Sequence, residues 1–549
     1  MKRNSLFYKW VPGWLQITVH ILLFVPILFI SGVYATNASE MSGELGIISE
    51  HIQYANFATS VGMAVIAPFF LRYMLMRRPK MMFIFGFIML FLLSWICATT
   101  DSMFLLMCCS FITGSLRFML IMNNLFPLLQ LLTGHNPINS FLPQFAPTDP
   151  AIVARIDSGK AVMLPVVYVF FMTMGQVGSF VTAWLAYEYE WQYVYYAMMA
   201  LSLLAIVLVE STMKYQKGKG HWVRYYKMGD FTAASVFLLS VCYILVYGKT
   251  LDWFDDITIR IAMAAALISL GMFLVVQKDS FRPYLRLGVF KRTYTHIAVL
   301  LFMLFMLVSS HSMLVNVYMG ISMKTDNLQN AAISNYGIIG YVTASIICIF
   351  LAKKGIHFRY IFAIGFLFLL SSAIYLYFHY QPQELYDNLI FPTILRNIGT
   401  FMLYAMVAVY GMRRLPAILI PSWIFVMLTF RSALGPAVGV SVYSNLIHHR
   451  QEQHVTDMTE YADASNTEFL SNYKRTVSGG KMQGLSEETA HHLATLSSKG
   501  KIQQQAMLVT LKEITGWTIY LCLGCIVILF VLPYPKDELA SSGISSGRS

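Results

Sequence analysis

Residues 81–97 read MMFIFGFIMLFLLSWIC and contain no charged side chain. Arg77, Arg78 and Lys80 precede this run, and Asp101 follows it. An α-helix needs about 20 mainly apolar residues to cross roughly 30 Å of hydrocarbon, and basic residues near the ends of such helices stay on the cytoplasmic side. The stretch therefore predicts a membrane-spanning helix that runs outward from the cytoplasm.

The same arrangement recurs along the chain of 549 residues, which is 57% hydrophobic and only 12% charged. Basic residues cluster in every second connection and acidic residues in the others, which predicts a multi-pass protein of the inner membrane with both termini in the cytoplasm. The apolar runs predict an all-α polytopic membrane protein with fourteen transmembrane helices, at about 14–34, 52–72, 81–99, 103–132, 161–186, 192–210, 231–249, 257–277, 297–320, 331–352, 360–379, 389–411, 421–446 and 508–533.

Composition also excludes several other classes of protein. The net charge of +12 does not indicate a nucleic-acid partner, because the Lys and Arg residues lie in alternate connections rather than along one face. All seven cysteines lie inside apolar runs, without the spacing of a zinc site or a disulfide framework, and are interpreted as packing residues. We therefore expect membrane lipid as the surrounding medium, and neither a metal nor a cofactor.

Two connections are longer than simple turns. Residues 134–160 are rich in Pro and Asn, which predicts an irregular cytoplasmic cap. Residues 447–505 are polar and contain five histidines, which predicts a periplasmic loop with a helix at 486–496 that starts at Ser486. The histidines lack a tight ligand spacing, so we interpret this stretch as solvated helix rather than as a metal site.

A family pattern extends from residue 175 toward the end of the chain. Its most specific part is RSALGPAVG at 431–439, followed by a His-bearing segment and QQQA at 503–506. Shorter agreements are GQVG at 175–178, WQY at 191–193, GD at 229–230, LDW at 251–253, RLGVF at 286–290, RNIG at 396–399 and RRLP at 413–416. The chain resembles the fourteen-helix drug:proton antiporters of the major facilitator superfamily, the EmrB/QacA type.

The resemblance implies two six-helix bundles around a central cavity. It places the amino-terminal bundle at 1–210, an inserted helix pair with its flanking loops at 211–295, and the carboxy-terminal bundle at 296–549, including the periplasmic loop 447–505. It implies multidrug efflux by alternating access and proton-coupled antiport. It also implies a periplasmic adaptor (membrane fusion protein) and an outer-membrane channel as partners.

The first four predicted helices depart from the family pattern. The Asp that the family carries in its first helix has no counterpart in FISGVY at 29–34. The Gly and Asp of the loop after the second helix are replaced near Phe69 and Tyr73, and the family's motif in the fourth helix is broken up as TGSLR at 113–117. Proton coupling is therefore the part of the analogy that the sequence supports least.

Glycines recur at helical spacing in two helices that the resemblance makes symmetry mates. They are Gly175 and Gly178 in the helix 161–186, and Gly435 and Gly439 in the helix 421–446. A missing Cβ lets two helices approach closely, so these glycines predict a gate between the bundles. Ordinary small-residue packing is the alternative.

Three arginines fall within apolar runs: Arg117, Arg396 and Arg431. A buried arginine should face a wet cavity or a partner, although Arg396 could instead extend to the outer interface. No Asp or Glu lies near the middle of any predicted helix. A cavity lined by guanidinium groups without carboxylates predicts a preference for anionic or neutral amphipathic compounds over cationic drugs.

The remaining polar candidates for the substrate and proton pathway are Asn123, Asn124, His311 and Asn316. Histidine titrates near neutral pH, so His311 could carry a coupling proton. An interhelical hydrogen bond is the alternative role.

Three functions compete at this point. The first is secondary active export of small amphipathic compounds, and the second is a transport-inactive membrane scaffold or receptor. The third, an enzyme acting on lipids, is disfavoured, because the sequence has no catalytic nucleophile with a base, no metal-ligand cluster and no phosphate-binding loop. Substrate identity, the coupling ion and the oligomeric state do not follow from the sequence.

Overall fold

The computed structural model describes residues 6–29, 37–69, 79–133, 150–215, 228–279, 283–382, 384–413, 415–462 and 466–534. Within these ranges the chain is helical, and its single β-bridge joins Phe7 to Met213. Several sequence predictions lie outside the described residues. They concern the end of the first helix at 30–34, the basic loop at 70–78, residues 134–149 of the predicted cap, and the carboxy-terminal tail.

The helices follow the apolar runs closely. In the first half they are α1 (Gly13–Phe29), α2 (Ala38–Leu45), α3 (Ser49–Ile66), α4 (Pro79–Thr99), α5 (Met103–Thr133), α6 (Pro150–Glu188) and α7 (Gln192–Thr212). The inserted pair is α8 (Met228–Tyr247) and α9 (Ile257–Asp279). The rest comprises α10 (Thr293–Ser309), α11 (Ser312–Tyr318), α12 (Asn327–Asn335), α13 (Gly337–Lys353), α14 (Phe358–His379), α15 (Ile390–Gly411), α16 (Ile420–Leu428), α17 (Gly435–Glu460), α18 (Thr467–Met482) and α19 (Glu487–Val531).

Twelve helical segments of the described chain are long and apolar enough to cross a bilayer. They coincide with twelve of the fourteen predicted spans. The other two predicted spans are also helices, but α1 has 17 described residues and α3 falls outside that set. The chain is therefore a polytopic α-helical membrane protein, and the count of fourteen crossings stays a prediction.

The apolar packing divides the helices into groups. One buried cluster consists only of side chains between Phe7 and Met213, and another only of side chains between Leu314 and Ile514. A third cluster joins α3 and α5 to α8 and to the carboxy-terminal helices. Across the two halves, α6 packs against α12, α13 and α15, and α3 packs against α16 and the segment that follows it.

The inserted pair attaches to the rest of the protein through α8. This helix packs against α3 and α17, whereas α9 packs mainly against α8. At one end of the contact, His51 Nδ1 lies 2.5 Å from the Tyr247 hydroxyl. The exposed side of α9 is apolar, with more than half of Leu267 and Val275 accessible, as expected for a helix that faces lipid.

A π-helical turn, Thr429–Leu434, interrupts the path from α16 to α17. Pro436 follows it in the first turn of α17. Because proline has no backbone N–H, Pro436 cannot donate the hydrogen bond that a regular helix would make to the carbonyl of Ser432. Such widened turns are frequent at functional sites. This one carries Arg431 into the interior, where the residue is only 6% exposed.

The predicted periplasmic loop 447–505 is mostly helix. Helix α17 continues to Glu460, α18 follows, and α19 starts at Glu487. The predicted helix start at Ser486 is confirmed, because the Ser486 hydroxyl accepts a hydrogen bond from the Thr489 backbone N–H at 3.3 Å. Sequence reasoning underestimated the helix because most of the stretch between residues 447 and 486 is polar, and the helical spacing of Leu470, Tyr473 and Val477 was overlooked. Helix α6 likewise begins at Pro150, inside the stretch predicted to be irregular.

Close contact between α3 and α5 depends on glycine. A Cβ at Gly114 would overlap the carbonyl oxygen of Thr59, and a Cβ at Gly62 would overlap that of Phe111. Because both obstacles are backbone atoms, they cannot rotate away. The two helices can therefore cross at this distance only while both positions lack a side chain.

We expect Gly114→Ala to lower the thermal stability of the purified protein. Forcing a methyl group into a packed interface costs about 1–3 kcal/mol. Gly271→Ala on α9 is the matched control, since no atom lies within 4 Å of its Cβ position. Melting followed by fluorescence should show a lower transition temperature for Gly114→Ala alone. Equal melting temperatures for the two variants would contradict this packing.

Candidate functional site

A cavity of about 1000 Å³ opens between the two halves of the protein. Its walls come from α2 and α6 in the first half and from α11, α12, α13 and α15 in the second. Its mouth carries Glu40 and Asp326, on the side that the charge pattern predicts to be periplasmic. The chamber is of the size that holds small organic molecules. Its polar lining includes Gln176, Asn316, Asn330, Arg396 and Asn397.

Arg396 supplies the positive charge of this cavity. It lies on the second turn of α15 and lines the chamber beside Asn397. Its guanidinium group interacts electrostatically with the hydroxyl groups of Tyr341 and Tyr380, and Tyr341 is itself part of the lining. The sequence allowed Arg396 either to face a cavity or to extend to the outer interface. In the structure, Arg396 lines the cavity.

His311 is buried next to this arginine. It sits at the break between α10 and α11, and its Nε2 lies 3.2 Å from the Thr515 hydroxyl on α19. Arg396 acts electrostatically on the imidazole. The interhelical hydrogen bond is present, and Asn316, five residues further on, is exposed to the cavity.

A second cationic cluster lies deeper between the halves. Arg431 Nη1 donates a hydrogen bond of 3.0 Å to the Tyr168 hydroxyl, and its Cζ lies 3.9 Å from the centre of the Tyr404 ring. The two tyrosine rings meet edge to face, with 5.6 Å between their centres. Arg117, on α5, also interacts electrostatically with the Tyr404 hydroxyl.

Tyrosines, rather than carboxylates, surround these arginines. Among the described residues, no Asp or Glu pairs with Arg117, Arg396 or Arg431. Placing an arginine at mid-membrane raises the free energy of insertion by roughly 2.5–3.5 kcal/mol. A cation–π contact offsets about 0.5–2 kcal/mol of this cost. The three guanidinium groups therefore have no carboxylate partner in the described part of the chain, while the carboxylates of Glu40 and Asp326 line the chamber that Arg396 also lines.

The two asparagines predicted for the pathway face other helices of their own half. Asn123 Nδ2 donates to the Pro79 carbonyl at 3.1 Å. Asn124 Oδ1 lies 2.6 Å from His20 Nδ1, and its amide donates to the His20 carbonyl at 2.7 Å. Neither asparagine lines the cavity. Sequence reasoning did not identify His20 as a partner of Asn124, although a histidine inside the first apolar run could have indicated a buried polar contact.

The predicted gating glycines also make contacts within their own halves. A Cβ on Gly178 would lie 3.4 Å from the Phe29 Cα on α1. A Cβ on Gly435 would meet Met306 on α10, and one on Gly439 would overlap Ser310, the residue that ends α10. Gly175 is half-buried on α6. The contacts in the two halves are thus alike, and a role in gating stays a prediction.

The two halves also meet at the mouth of the cavity. Asn327 Nδ2, in the first turn of α12, donates a hydrogen bond of 2.5 Å to the Glu40 carboxylate on α2. Both residues line the chamber. Sequence reasoning missed this contact, as it missed Gln176 and Asn397 as lining residues. Their amide groups inside apolar helices were the available signal.

Comparisons with known proteins agree with the predicted resemblance. No family model matches the chain. Over 296 residues, 53% of this chain, the sequence is 20% identical to the colistin resistance protein EmrB of Acinetobacter baumannii, and the match spans 57% of that relative's length. The similarity to the EmrB type that the motifs predicted is confirmed by this relative.

Solved structures show the fold. The nucleoside transporter NupG aligns with a TM-score of 0.51 at 11% identity, over 94% of this chain and 99% of NupG. A mutant of the same transporter aligns with a TM-score of 0.52 at 13% identity, over the same shares. The helices are therefore arranged as in NupG.

We expect the two kinds of asparagine to differ in chemical accessibility. In a background without the seven native cysteines, Asn316→Cys should react with membrane-impermeant methanethiosulfonate reagents. Asn123→Cys should stay unmodified because its side chain packs against α4. Mass spectrometry measures the extent of labelling.

The charge of the reagent should matter at Asn316→Cys. Because Arg396 lines the same chamber, a sulfonate reagent should react several-fold faster than a trimethylammonium reagent, relative to a free thiol. Adding Arg396→Gln should remove the preference. Equal labelling of both cysteines, or a preference for the cationic reagent, would contradict the described cavity.

Proposed function

We propose that the chain is a secondary active exporter of small amphipathic compounds, with a preference for anionic or neutral ones. The observation that carries the proposal is a chamber between two helical halves whose only cationic lining residue, among the described residues, is Arg396, with the carboxylates of Glu40 and Asp326 at its mouth. Amide side chains beside Arg396 offer donors and acceptors, while Met313, Val317 and Tyr341 offer apolar surface. Such a lining suits a ligand with an anionic head and an apolar body.

The proposed mechanism is alternating access. The proposal includes fourteen crossings, with α1 and α3 added to the twelve long apolar helices, and two six-helix bundles joined by α8 and α9. Among the described residues, the Glu40–Asn327 hydrogen bond and the α6 contacts are interactions that rocking must rearrange. The within-half glycine contacts let α6 and α17 move as parts of their bundles.

Proton-coupled antiport is the proposed energy source, with His311 as the proton-binding group. Protonation of His311 would add a second positive charge near Arg396, so it is favoured once an anion neutralises Arg396 or the guanidinium group turns away. The occupancy of the chamber and the charge of His311 are then linked, and linkage of this kind is the thermodynamic basis of coupling.

The extramembrane part of α17, with α18 and the start of α19, is the proposed docking element for a periplasmic adaptor and, through it, an outer-membrane channel. Its surface exposes apolar side chains that its own small core does not use, chiefly Met482, Leu493 and Leu496. This assignment places the element in the periplasm and both termini in the cytoplasm of an inner-membrane protein. An inactive scaffold is the second candidate, but it gives no reason for a polar chamber within a membrane.

Reconstituted protein should move an anionic amphipath such as salicylate and leave lipophilic cations such as tetraphenylphosphonium behind. Arg396→Gln should lower the salicylate flux about tenfold or more, because the chamber loses its cationic side chain. Arg396→Lys should keep part of the flux, and Arg260→Gln, at an exposed arginine of α9, should keep all of it. Transport of cations alone would sink the proposed specificity, and absence of any flux would favour the scaffold.

His311→Gln should uncouple salicylate transport from the pH gradient while leaving downhill flux largely intact, since glutamine keeps a hydrogen bond to Thr515 but binds no proton. Flux measured with and without an imposed gradient tests this. His20→Gln is the control, because His20 is buried away from the chamber. An unchanged response to the gradient in His311→Gln would remove this residue from the proton pathway.

A further inference from the structure

A short linker joins the inserted helix pair to the second half of the protein. Its described part begins at Pro283 and leads through a 3₁₀ turn, Leu287–Lys291, into α10. Arg286 and Lys291 lie in this linker, and basic residues mark the cytoplasmic side. The charge pattern therefore places the linker at the end of the protein opposite the chamber mouth.

Tyr284, in this linker, touches all three parts of the protein. Only 2% of the residue is exposed. Its hydroxyl donates a hydrogen bond to the Val65 carbonyl on α3, and its ring meets that of Phe69, in the same half, with 5.6 Å between the ring centres. The ring also meets Phe273 on α9 at 6.2 Å and Phe425 on α16 at 5.9 Å. One side chain thus connects the first half, the inserted pair and the second half.

The Val65 carbonyl is suited to this contact by its place in the helix. It lies in the last turn of α3, where carbonyl groups lack partners within the helix. The 3₁₀ turn Ala67–Phe69 follows, but its Pro68, three residues after Val65, has no N–H to donate. Tyr284 supplies a donor from outside the helix. Ser49, at the other end of α3, lines the chamber, about 24 Å away along the helix axis.

Two backbone hydrogen bonds fix the linker on the other side of Tyr284. The Leu285 N–H donates to Gln277 Oε1 on α9 at 3.0 Å, and the Arg286 N–H donates to Ser422 Oγ on α16 at 2.9 Å. Both acceptor residues are buried, and hydrogen bonds are stronger in such surroundings than in water. The linker backbone is thus attached to the inserted pair and the second half, while the Tyr284 side chain reaches across to the first half.

The two halves also touch each other directly at this end, where α16 packs against α3 and the 3₁₀ turn that follows it. In alternating access, two halves rock around a central site so that one side closes as the other opens. The contacts of Tyr284 with Val65 and Phe69 belong to the conformation in which the chamber is open at its mouth. They must break when the cytoplasmic side opens.

We propose that Tyr284 is a latch through which the inserted helix pair holds the cytoplasmic side closed. The proposal rests on the rocking of the halves in the proposed function. Helix α9 anchors the linker through Gln277, so the inserted pair stabilises the conformation that is open at the chamber mouth. Loss of the latch shifts the population toward the conformation that is open to the cytoplasm.

Spin labels at Ser211→Cys and Lys354→Cys test the latch by double electron–electron resonance in nanodiscs, in a background without native cysteines. Both positions are exposed, and they lie at the predicted cytoplasmic ends of α7 and α13, one in each half. Tyr284→Phe keeps the ring and removes the hydroxyl. The ratio of long to short distances should rise about two- to tenfold, as expected for the loss of one buried hydrogen bond.

Tyr294→Phe is the matched control. The Tyr294 hydroxyl is buried without a hydrogen-bond partner in the described part of the chain, so its removal should leave the ratio unchanged. Gln277→Leu removes the anchor on α9 and should raise the ratio in the same direction as Tyr284→Phe. If Tyr284→Phe fails to give monodisperse protein, Gln277→Leu and Ser422→Ala carry the test. An unchanged or lower ratio in these folded variants would overturn the latch.

Salicylate flux through the same proteins separates the latch from the proposed function. Wild-type flux together with an unchanged ratio in Tyr284→Phe would overturn the latch alone. A raised ratio in protein that transports no salicylate would keep the latch and overturn the proposed export. A single distance in every protein, without salicylate flux, would overturn both.

Discussion

Positive charge held inside an apolar structure without carboxylate partners is the constraint on which the rest depends. Three arginines enter the interior, and tyrosine rings, amides and the chamber take the place of acidic side chains. Tyrosine ring faces reduce the cost of burial without cancelling the charge. The guanidinium groups can therefore be buried and still keep their charge, as the proposed binding of an anion requires.

The arrangement of helices turns this local chemistry into a pathway. Helix α15 carries Arg396 at the chamber and Tyr404 at the deeper cluster, while α6 contributes Gln176 and Ser179 to the chamber and Tyr168 to the cluster. One helix from each half thus touches both positions. Motion of one half against the other must therefore change the chamber and the deeper cluster together. The two helices that both positions share are enough to couple them.

The sequence predicted the helices well because lipid leaves few alternatives to an apolar run of about 20 residues. It also identified the three arginines, because a charge inside such a run is conspicuous. It could not tell which arginine lines a chamber and which lies behind a tyrosine, since that depends on packing between distant helices. It did not reveal that Asn123 and Asn124 turn toward α4 and α1. The helical extension beyond residue 447 was underestimated because its sequence is mostly polar, so a search for long apolar runs could not find it.

The central claim is that two halves rock around a cationic chamber, and the distance across its mouth tests it most directly. Spin labels at Gly43→Cys on α2 and Gln329→Cys on α12, in a background without native cysteines, report this distance by double electron–electron resonance in nanodiscs. The account predicts two populations whose ratio changes when salicylate is added. A single distance that salicylate leaves unchanged, in protein that still binds salicylate, would contradict it.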